Sequence, residues 1–166
     1  MKSLWMICLI SLTISGTAIS QDYKTFRVGL GFGVAILSDG LAGGSITLEP
    51  AYRINNDLAI GLNIEGALFG FLDEAEILGS CTLNGQYYLS DNAFRPFIGS
   101  GLGLYRYGNA GFETRVGFYP RVGFDLEHFS MSCDYNILPG VPAYSHHDMS
   151  HYFRLRIGFF VGGGKK

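Results

Sequence analysis

The sequence predicts an all-β protein folded as an eight-stranded antiparallel up-and-down transmembrane β-barrel. Three observations predict this fold: eight segments that alternate apolar with small or polar residues, segment lengths near or above ten residues, and an apparent secretion signal ahead of them. Alternation gives a strand one apolar face and one bare or polar face. A strand that crosses the hydrocarbon core of a bilayer needs about 9–11 tilted residues, whereas strands of soluble sheets have no such requirement.

The amino-terminal residues have the three parts of a secretory signal peptide. A positive charge lies at Lys2, a short apolar run follows it, and the small residues Ala18 and Ser20 come at its end. This pattern predicts a cleaved signal peptide at residues 1–20 and a mature barrel domain at residues 21–166. A membrane-anchoring helix is the less favoured alternative, because the apolar run is too short to span a bilayer comfortably.

The composition favours β-structure and gives no indication of nucleic-acid binding. Hydrophobic residues make up 48% of the chain and charged residues only 16%, with 24 Gly, 13 Phe and 10 Tyr. The net charge is −2, whereas a nucleic-acid-binding domain is typically basic. Cys81 and Cys133 are the cysteines of the predicted mature chain, and they fall on strands that would not be neighbours. We therefore expect no disulfide.

The strands follow in order from the alternating segments. They are predicted at residues 24–36, 44–54, 58–69, 76–89, 95–107, 114–126, 129–137 and 151–161. The first is the clearest, because apolar residues from Phe26 to Ile36 alternate with glycines and other residues of the opposite parity. The second, third and fourth carry the inward polar residues Glu49, Arg53, Asn63, Glu65, Thr82, Asn84 and Gln86.

The last four strands show the same two faces. Strand five alternates Ile98, Leu102 and Leu104 with three inward glycines, and strands six to eight direct Arg121, Asp125, Asp134, Arg154 and Arg156 inward. Short polar connections at residues 55–57, 90–92 and 127–128 suit tight hairpin turns. The connections at residues 37–43, 70–75, 108–113 and 138–150 are longer or more irregular. Outer-membrane barrels have this asymmetry between short periplasmic turns and longer external loops.

The charges of the strands fall almost entirely on one face, opposite to the apolar one. The inward charges are Arg27, Glu49, Arg53, Glu65, Arg121, Asp125, Asp134, Arg154 and Arg156. A soluble sandwich or lipocalin would have the reverse polarity. Eight strands enclose a space that side chains can just fill, and charges there are costly unless they pair. We therefore expect a charge network that plugs the lumen, with a narrow selective channel as the alternative.

Two further patterns concern the ends of the strands. Tyrosines at 23, 52, 87, 105, 107, 119 and 152 lie mostly near strand ends, where they could form interfacial belts or simply reflect strand propensity. The segments 69–72 and 138–142 give two of the external loops apolar tips. Loops this short are not expected to capture a bulky ligand.

Four segments carry a family resemblance: Phe26–Ala35, Tyr52–Ala67, Gln86–Tyr105 and Arg154–Lys166. They resemble the small outer-membrane β-barrel domain family, which includes the OmpA- and OmpX-type eight-stranded barrels. The resemblance implies a location in the bacterial outer membrane, where the barrel contacts lipid and is inserted by the barrel insertion machinery. It is also compatible with an envelope protein as a binding partner. One departure is that such barrels usually end on an aromatic residue, whereas glycines and lysines follow Phe160 and Val161 here.

The densest group of reactive residues lies in the last long connection. His146, His147, Asp148 and His151 are a weak candidate metal site, since imidazole and carboxylate groups suit zinc or copper. With Ser145 they could also supply a serine–histidine–aspartate arrangement, but such residues often coincide in a short loop by chance. No G-x-S-x-G turn accompanies them. We expect no metal, no cofactor and no enzymatic activity.

The sequence thus predicts a non-enzymatic outer-membrane barrel with a structural or surface-interaction role. A narrow pore for small solutes is the first alternative. A lipid-A-modifying enzyme and a periplasmic lipocalin-like binder are less favoured, because they would need a built catalytic site or an apolar interior. Members of this family have different functions on the same fold, so these patterns specify the architecture better than the function.

Overall fold

A computed structural model describes residues 23–70, 75–108, 113–139 and 150–163. The predicted signal peptide at residues 1–20 lies outside these described residues, as do His146, His147 and Asp148. The strands are β1 (Phe26–Leu37), β2 (Ala42–Arg53), β3 (Leu58–Phe69), β4 (Glu76–Tyr88), β5 (Phe94–Gly108), β6 (Glu113–Leu126), β7 (Phe129–Ile137) and β8 (His151–Gly162). All eight predicted strands are present, and their predicted bounds differ from the observed ones by two residues or fewer.

The strands form one closed antiparallel barrel in sequence order. Each strand pairs with the next, and β8 returns to pair with β1 from Arg27 opposite Gly162 to Leu37 opposite Tyr152. Closure gives every strand two neighbours, which a sheet surrounded by lipid requires. The prediction of an eight-stranded up-and-down barrel is confirmed. In the part of the chain that the structure describes, no helix has the length and apolar character needed to span a membrane.

The connections divide the barrel into two ends. We call the end with the connections 54–57, 89–93 and 127–128 the turn end, and the opposite one the loop end. The first turn is closed by the side chain of Asn55, whose Oδ1 accepts hydrogen bonds from the backbone N–H groups of Asp57 and Leu58. Glu127 adopts a positive φ of 53° in the two-residue turn between β6 and β7, as tight hairpins require.

The two faces of the sheet have the polarity that the alternation predicts. The outer face exposes large apolar side chains along every strand, including Phe32, Ile46, Ile64, Leu83, Leu102, Val122, Tyr135 and Ile157. The inner face buries charged and amide side chains. Such an inverted arrangement suits a barrel whose outer surface contacts lipid rather than water.

Two prolines interrupt the ladders between neighbouring strands. The β2–β3 pairing stops after Leu48 and resumes at Ala51, on either side of Pro50. The β6–β7 pairing likewise stops after Phe118 and resumes at Arg121, on either side of Pro120. Because proline has no N–H group to donate, the backbone hydrogen bond at that position is missing from the β2–β3 ladder at Pro50 and from the β6–β7 ladder at Pro120.

Two inward glycines make room for aromatic rings. A Cβ atom added at Gly117 would lie 2.8 Å from the ring of Tyr105 and 2.9 Å from the carbonyl oxygen of Ile137. A Cβ atom added at Gly101 would lie within the contact distance of the Tyr119 ring. These glycines therefore allow large side chains from the adjacent strand to cross the lumen, as a narrow barrel demands.

The structure decides which tyrosines face outward and whether the first residues of two apolar loop segments are exposed. Only Tyr52 and Tyr87 of the seven tyrosines face outward, while those at 23, 105, 107, 119 and 152 are buried inside the barrel. Phe69 and Leu138 are also fully buried rather than exposed at apolar loop tips. Of the two interpretations, an interfacial belt therefore applies only to Tyr52 and Tyr87, because a position near a strand end says nothing about the face. Cys81 and Cys133 are both free thiols.

Candidate functional site

The candidate site is the charged interior of the barrel. The structure places all nine sequence-predicted charges on the inner face, and none is more than 7% exposed: Arg27, Glu49, Arg53, Glu65, Arg121, Asp125, Asp134, Arg154 and Arg156. Strand parity puts them there, since inward positions recur at every second residue. Barrel closure then brings residues from distant strands together across the lumen.

Asp134 joins two arginines from the strands on either side of β7. It lies directly opposite Arg121 of β6 and Arg154 of β8 in the strand register. Arg121 donates from Nε to Oδ1 of Asp134 at 2.6 Å, and Arg154 donates from Nε to Oδ2 at 2.9 Å. The register of three adjacent strands thus produces a fully buried arginine–aspartate–arginine group, in which each charge has a partner.

Glu49 is the second junction of the network. One of its oxygens, Oε2, accepts hydrogen bonds from Nη1 of Arg121 and Nη1 of Arg156, both at 2.8 Å. Its other oxygen accepts a hydrogen bond from Nε2 of Gln86 at 2.7 Å. Because Arg156 lies 107 residues from Glu49 in sequence, this contact exists only in the closed barrel.

The network continues towards both ends of the barrel. On the turn side, Arg27 donates to Asp125 and to Gln86, both at 2.6 Å. On the loop side, Arg154 forms an ion pair with Glu65. Glu65 also accepts hydrogen bonds from the hydroxyl groups of Ser80 at 3.1 Å and Tyr152 at 3.2 Å. A continuous chain of charge-assisted contacts therefore runs through the lumen from Asp125 to Glu65.

An aromatic and aliphatic layer covers the charges on the loop side. It consists of the buried residues Ala35, Leu37, Ala67, Phe69, Leu78, Tyr105, Tyr107, Tyr119, Leu138 and Tyr152. Phe69 and Tyr152 meet edge to face with ring centroids 6.0 Å apart, and the Tyr105 hydroxyl donates to Asn136 at 2.9 Å. This layer separates the charge network from the loop end and keeps its local dielectric constant low.

On the turn side, arginines and tyrosines form a second layer. Tyr88 donates its hydroxyl proton to Asp125 at 2.8 Å, and the guanidinium carbon of Arg53 lies 5.0 Å from the centroid of the Tyr88 ring. Arg95 and Tyr23 complete this layer. A cation placed over an aromatic ring is attracted by the ring quadrupole, so the tyrosines stabilise closely spaced arginines here.

Sequence reasoning missed several residues of the interior. Arg95 and Glu76 are buried charges at 4% and 7% exposure, and neither was among the nine predicted ones. Parity could have found both, since Arg95 shares its face with Phe97 and Glu76 shares its face with Leu78. They lie at the ends of strands, where the boundary of the alternating pattern is least certain.

The structure describes one of the four weak metal candidates. His151 begins β8 half-buried, with its Nδ1 atom 2.8 Å from Oγ of Ser150 and its ring 6.0 Å from that of Tyr135. Within residues 23–70, 75–108, 113–139 and 150–163, no three His, Cys, Asp or Glu side chains are placed to share a metal ion. His146, His147 and Asp148 lie outside those ranges.

Comparison with solved structures shows what this architecture resembles. The crystal structure of Neisserial surface protein A (NspA) superimposes with a TM-score of 0.65 at 20% sequence identity, covering 82% of this chain and 95% of NspA. The outer membrane protein OprG from Pseudomonas aeruginosa superimposes with a TM-score of 0.58 at 14% identity, covering 87% of this chain and 100% of OprG. The chain has the fold of the small eight-stranded outer-membrane β-barrels. No protein-family model and no curated protein sequence matches it.

This fold agrees with the family resemblance of the sequence. Identities of 14–20% support a common architecture and do not transfer a ligand or an activity. The features of this chain that bear on its function are therefore its own charged interior and apolar outer surface.

Proposed function

We propose that this protein is a non-enzymatic barrel of the bacterial outer membrane, with a structural or surface-interaction role and a lumen plugged by its inward charges. The observation that carries the proposal is the continuous network from Asp125 to Glu65, in which acidic and basic side chains bridge the strands across the lumen. Removing one partner from such a buried pair costs about 3–5 kcal/mol, so an open state that separates several pairs is disfavoured.

The outer surface supports a place in a membrane. Aromatic rings form an arc around part of the turn end: Phe94 and Phe124 lie 5.0 Å apart, Phe124 and Phe129 6.3 Å, and Phe129 and Phe159 5.7 Å between centroids. Tyr52 and Tyr87 face outward at the same end. Aromatic belts are typical of the level where a barrel meets the membrane interface. A soluble lipocalin-like binder is disfavoured, because this barrel exposes its apolar face and buries its charges.

With the lumen closed, interaction falls to the two ends of the barrel, and the longer connections lie at the loop end. Outer-membrane lipid contacts the barrel wall, and the insertion machinery would act on the strands. An envelope protein partner would therefore meet the loop end. Affinity purification from gently solubilised outer membrane, comparing the parent chain with one whose residues 141–148 are replaced by a Gly–Ser segment, tests this role. A partner retained only by the parent supports it, and identical recoveries contradict it.

Planar-bilayer recordings test the closed lumen. We expect the purified barrel to show no stable, reproducible open level, because the charge network and the aromatic layer both cross the lumen. The comparison is a variant in which Arg121, Asp134 and Arg154 are all replaced by alanine, inserted with the same protocol. This variant lacks the central ion pairs between Asp134 and the two arginines. A steady open level in the parent chain would overturn the proposal in favour of a narrow pore for small solutes.

A further inference from the structure

A cavity opens at the turn end of the barrel, where Asp125 ends the charge network. Its volume is about 330 Å³, and its wall includes Tyr23, Lys24, Arg53, Arg95, Asp125 and His128. We call it the turn-end vestibule. Its residues come from the segment before β1, the end of β2, the start of β5 and the β6–β7 turn. Barrel closure thus brings three basic side chains, a histidine and the carboxylates of Asp125 and Glu127 to one concave surface.

Two arginines of the vestibule are stacked on the same pair of tyrosines. The guanidinium carbon of Arg95 lies 4.0 Å from the Tyr23 ring centroid and 4.2 Å from that of Tyr88. The guanidinium carbon of Arg53 lies 4.5 Å and 5.0 Å from the same two centroids. Both arginines are at most 4% exposed. Stacking holds two like charges side by side and fixes the planes of their donor groups.

Two carboxylates of the vestibule wall, those of Asp125 and Glu127, oppose its basic groups. Asp125 accepts hydrogen bonds from Arg27 and Tyr88 at Oδ2, and Arg27 balances its charge, while its Oδ1 accepts no hydrogen bond among the described residues. Glu127 is exposed, so water screens its charge. The Asp91 side chain is 56% exposed and only 3.5 Å from Nη2 of Arg95 at its nearest. Arg95 also donates from Nε to the Ser90 carbonyl at 3.1 Å and from Nη2 to the Asn56 carbonyl. Among the described residues its Nη1 group makes no hydrogen bond, and the side chain lines the cavity.

We propose that the turn-end vestibule binds a compact oxyanion, namely a phosphate group. Guanidinium groups present planar pairs of N–H donors that match phosphate oxygens, and Lys24 at the rim adds a further positive charge. A volume near 330 Å³ admits a phosphate group with a small substituent but not a folded partner. This inference goes beyond the proposed function and holds whether or not the lumen conducts.

Two sources could supply the phosphate. One is a soluble phosphate ester, and the other is the headgroup of a phospholipid in the leaflet around the turn end. Both present the same oxyanion to the same donors, so the residues of the site do not distinguish them. Whether the vestibule is already occupied when the barrel is in a phospholipid bilayer distinguishes the two sources.

Isothermal titration with inorganic phosphate tests the site. The folded barrel is titrated in maltoside micelles, which contain no phosphate, at low salt. We expect saturable binding that Arg95→Gln weakens about tenfold or more and Lys24→Gln weakens about threefold. Arg106→Gln is the matched control, since Arg106 is exposed on the outer face near the loop end, and it should leave the dissociation constant unchanged.

The Lys24→Gln variant keeps the test decisive if Arg95→Gln fails to fold, because Lys24 is exposed and outside the strands. Absence of saturable phosphate binding, or equal weakening by Lys24→Gln and Arg106→Gln, would overturn the inference. Repeating the titration in nanodiscs of phosphatidylglycerol identifies the source. A lost response there indicates that a headgroup occupies the vestibule, and an unchanged response indicates a soluble phosphate ester.

Discussion

Asp134 shows how a single inward residue organises the interior. It is fully buried, and its two carboxylate oxygens divide between Arg121 and Arg154 on the flanking strands. Its parity could be read from the alternation in β7, and both arginine partners follow from the parities of β6 and β8. The sequence could not predict that these three residues lie directly opposite one another on adjacent strands. The offset between neighbouring strands depends on turn geometry and on barrel closure.

We predict that Asp134→Asn destabilises the barrel by about 3–5 kcal/mol, since two buried guanidinium groups lose a charged partner while the shape of the side chain is kept. Urea-induced unfolding in lipid vesicles, followed by the gel mobility of the folded form, measures the change. The control is Glu113→Gln, which removes a carboxylate from an exposed ion pair with Arg115 and should have little effect. Equal unfolding midpoints for the parent and Asp134→Asn would show that other groups sustain these arginines.

At the scale of the strand, parity is the property that the sequence expresses most directly. Each strand of 9–15 residues keeps its apolar and polar faces from one end to the other. A shift by one residue would move every inward charge of that strand to the apolar outer face, so register is strongly specified. A position near a strand end leaves two interpretations open for a tyrosine, an interfacial belt or strand propensity, whereas its parity decides the face. Their parities place Tyr105, Tyr119 and Tyr152 inside, and Gly117 and Gly101 leave space for the rings of Tyr105 and Tyr119.

The apolar outer surface gives a prediction at this scale. Leu102 lies in the middle of β5, is 59% exposed and pairs with Leu83 and Phe118. We expect Leu102→Arg to destabilise the folded barrel in vesicles by about 2–4 kcal/mol, because a charge there would enter the hydrocarbon region.

Leu89→Arg is the control for that change. Leu89 is equally exposed at 58% but lies past the end of β4 at the turn end, where the same charge can reach water. Its unfolding free energy should stay close to that of the parent. If both variants unfold like the parent chain, the outer face does not contact lipid and the barrel is a soluble one.

At the scale of the whole molecule, the interior is layered along the barrel axis. An aromatic and aliphatic layer faces the loops, the charge network occupies the middle, and stacked arginines and tyrosines lie at the turn end. The two outer layers shield the central charges from water and so strengthen their pairing. Among the described residues, this arrangement leaves the turn-end vestibule as an opening in which chemistry can occur.

We predict that the native protein stays in the membrane pellet when cell envelopes are washed with alkaline carbonate. A barrel with an apolar outer wall cannot leave lipid without exposing that wall to water. A periplasmic protein such as a maltose-binding protein, washed in parallel, should appear in the supernatant. Recovery of the barrel in the supernatant would favour the soluble lipocalin-like alternative.

The sequence by itself determined the number of strands, their bounds, the inverted polarity and nine of the buried charges. These are local properties, since side-chain alternation has a period of two and turns depend on a few adjacent residues. Only the tertiary structure decided which charges pair, because Arg27 and Asp125 lie 98 residues apart and Arg156 and Glu49 lie 107 apart. It also decided that Arg53 and Arg95 meet over Tyr23 and Tyr88. Those contacts depend on the register of eight strands at once, and closure of the barrel fixes that register.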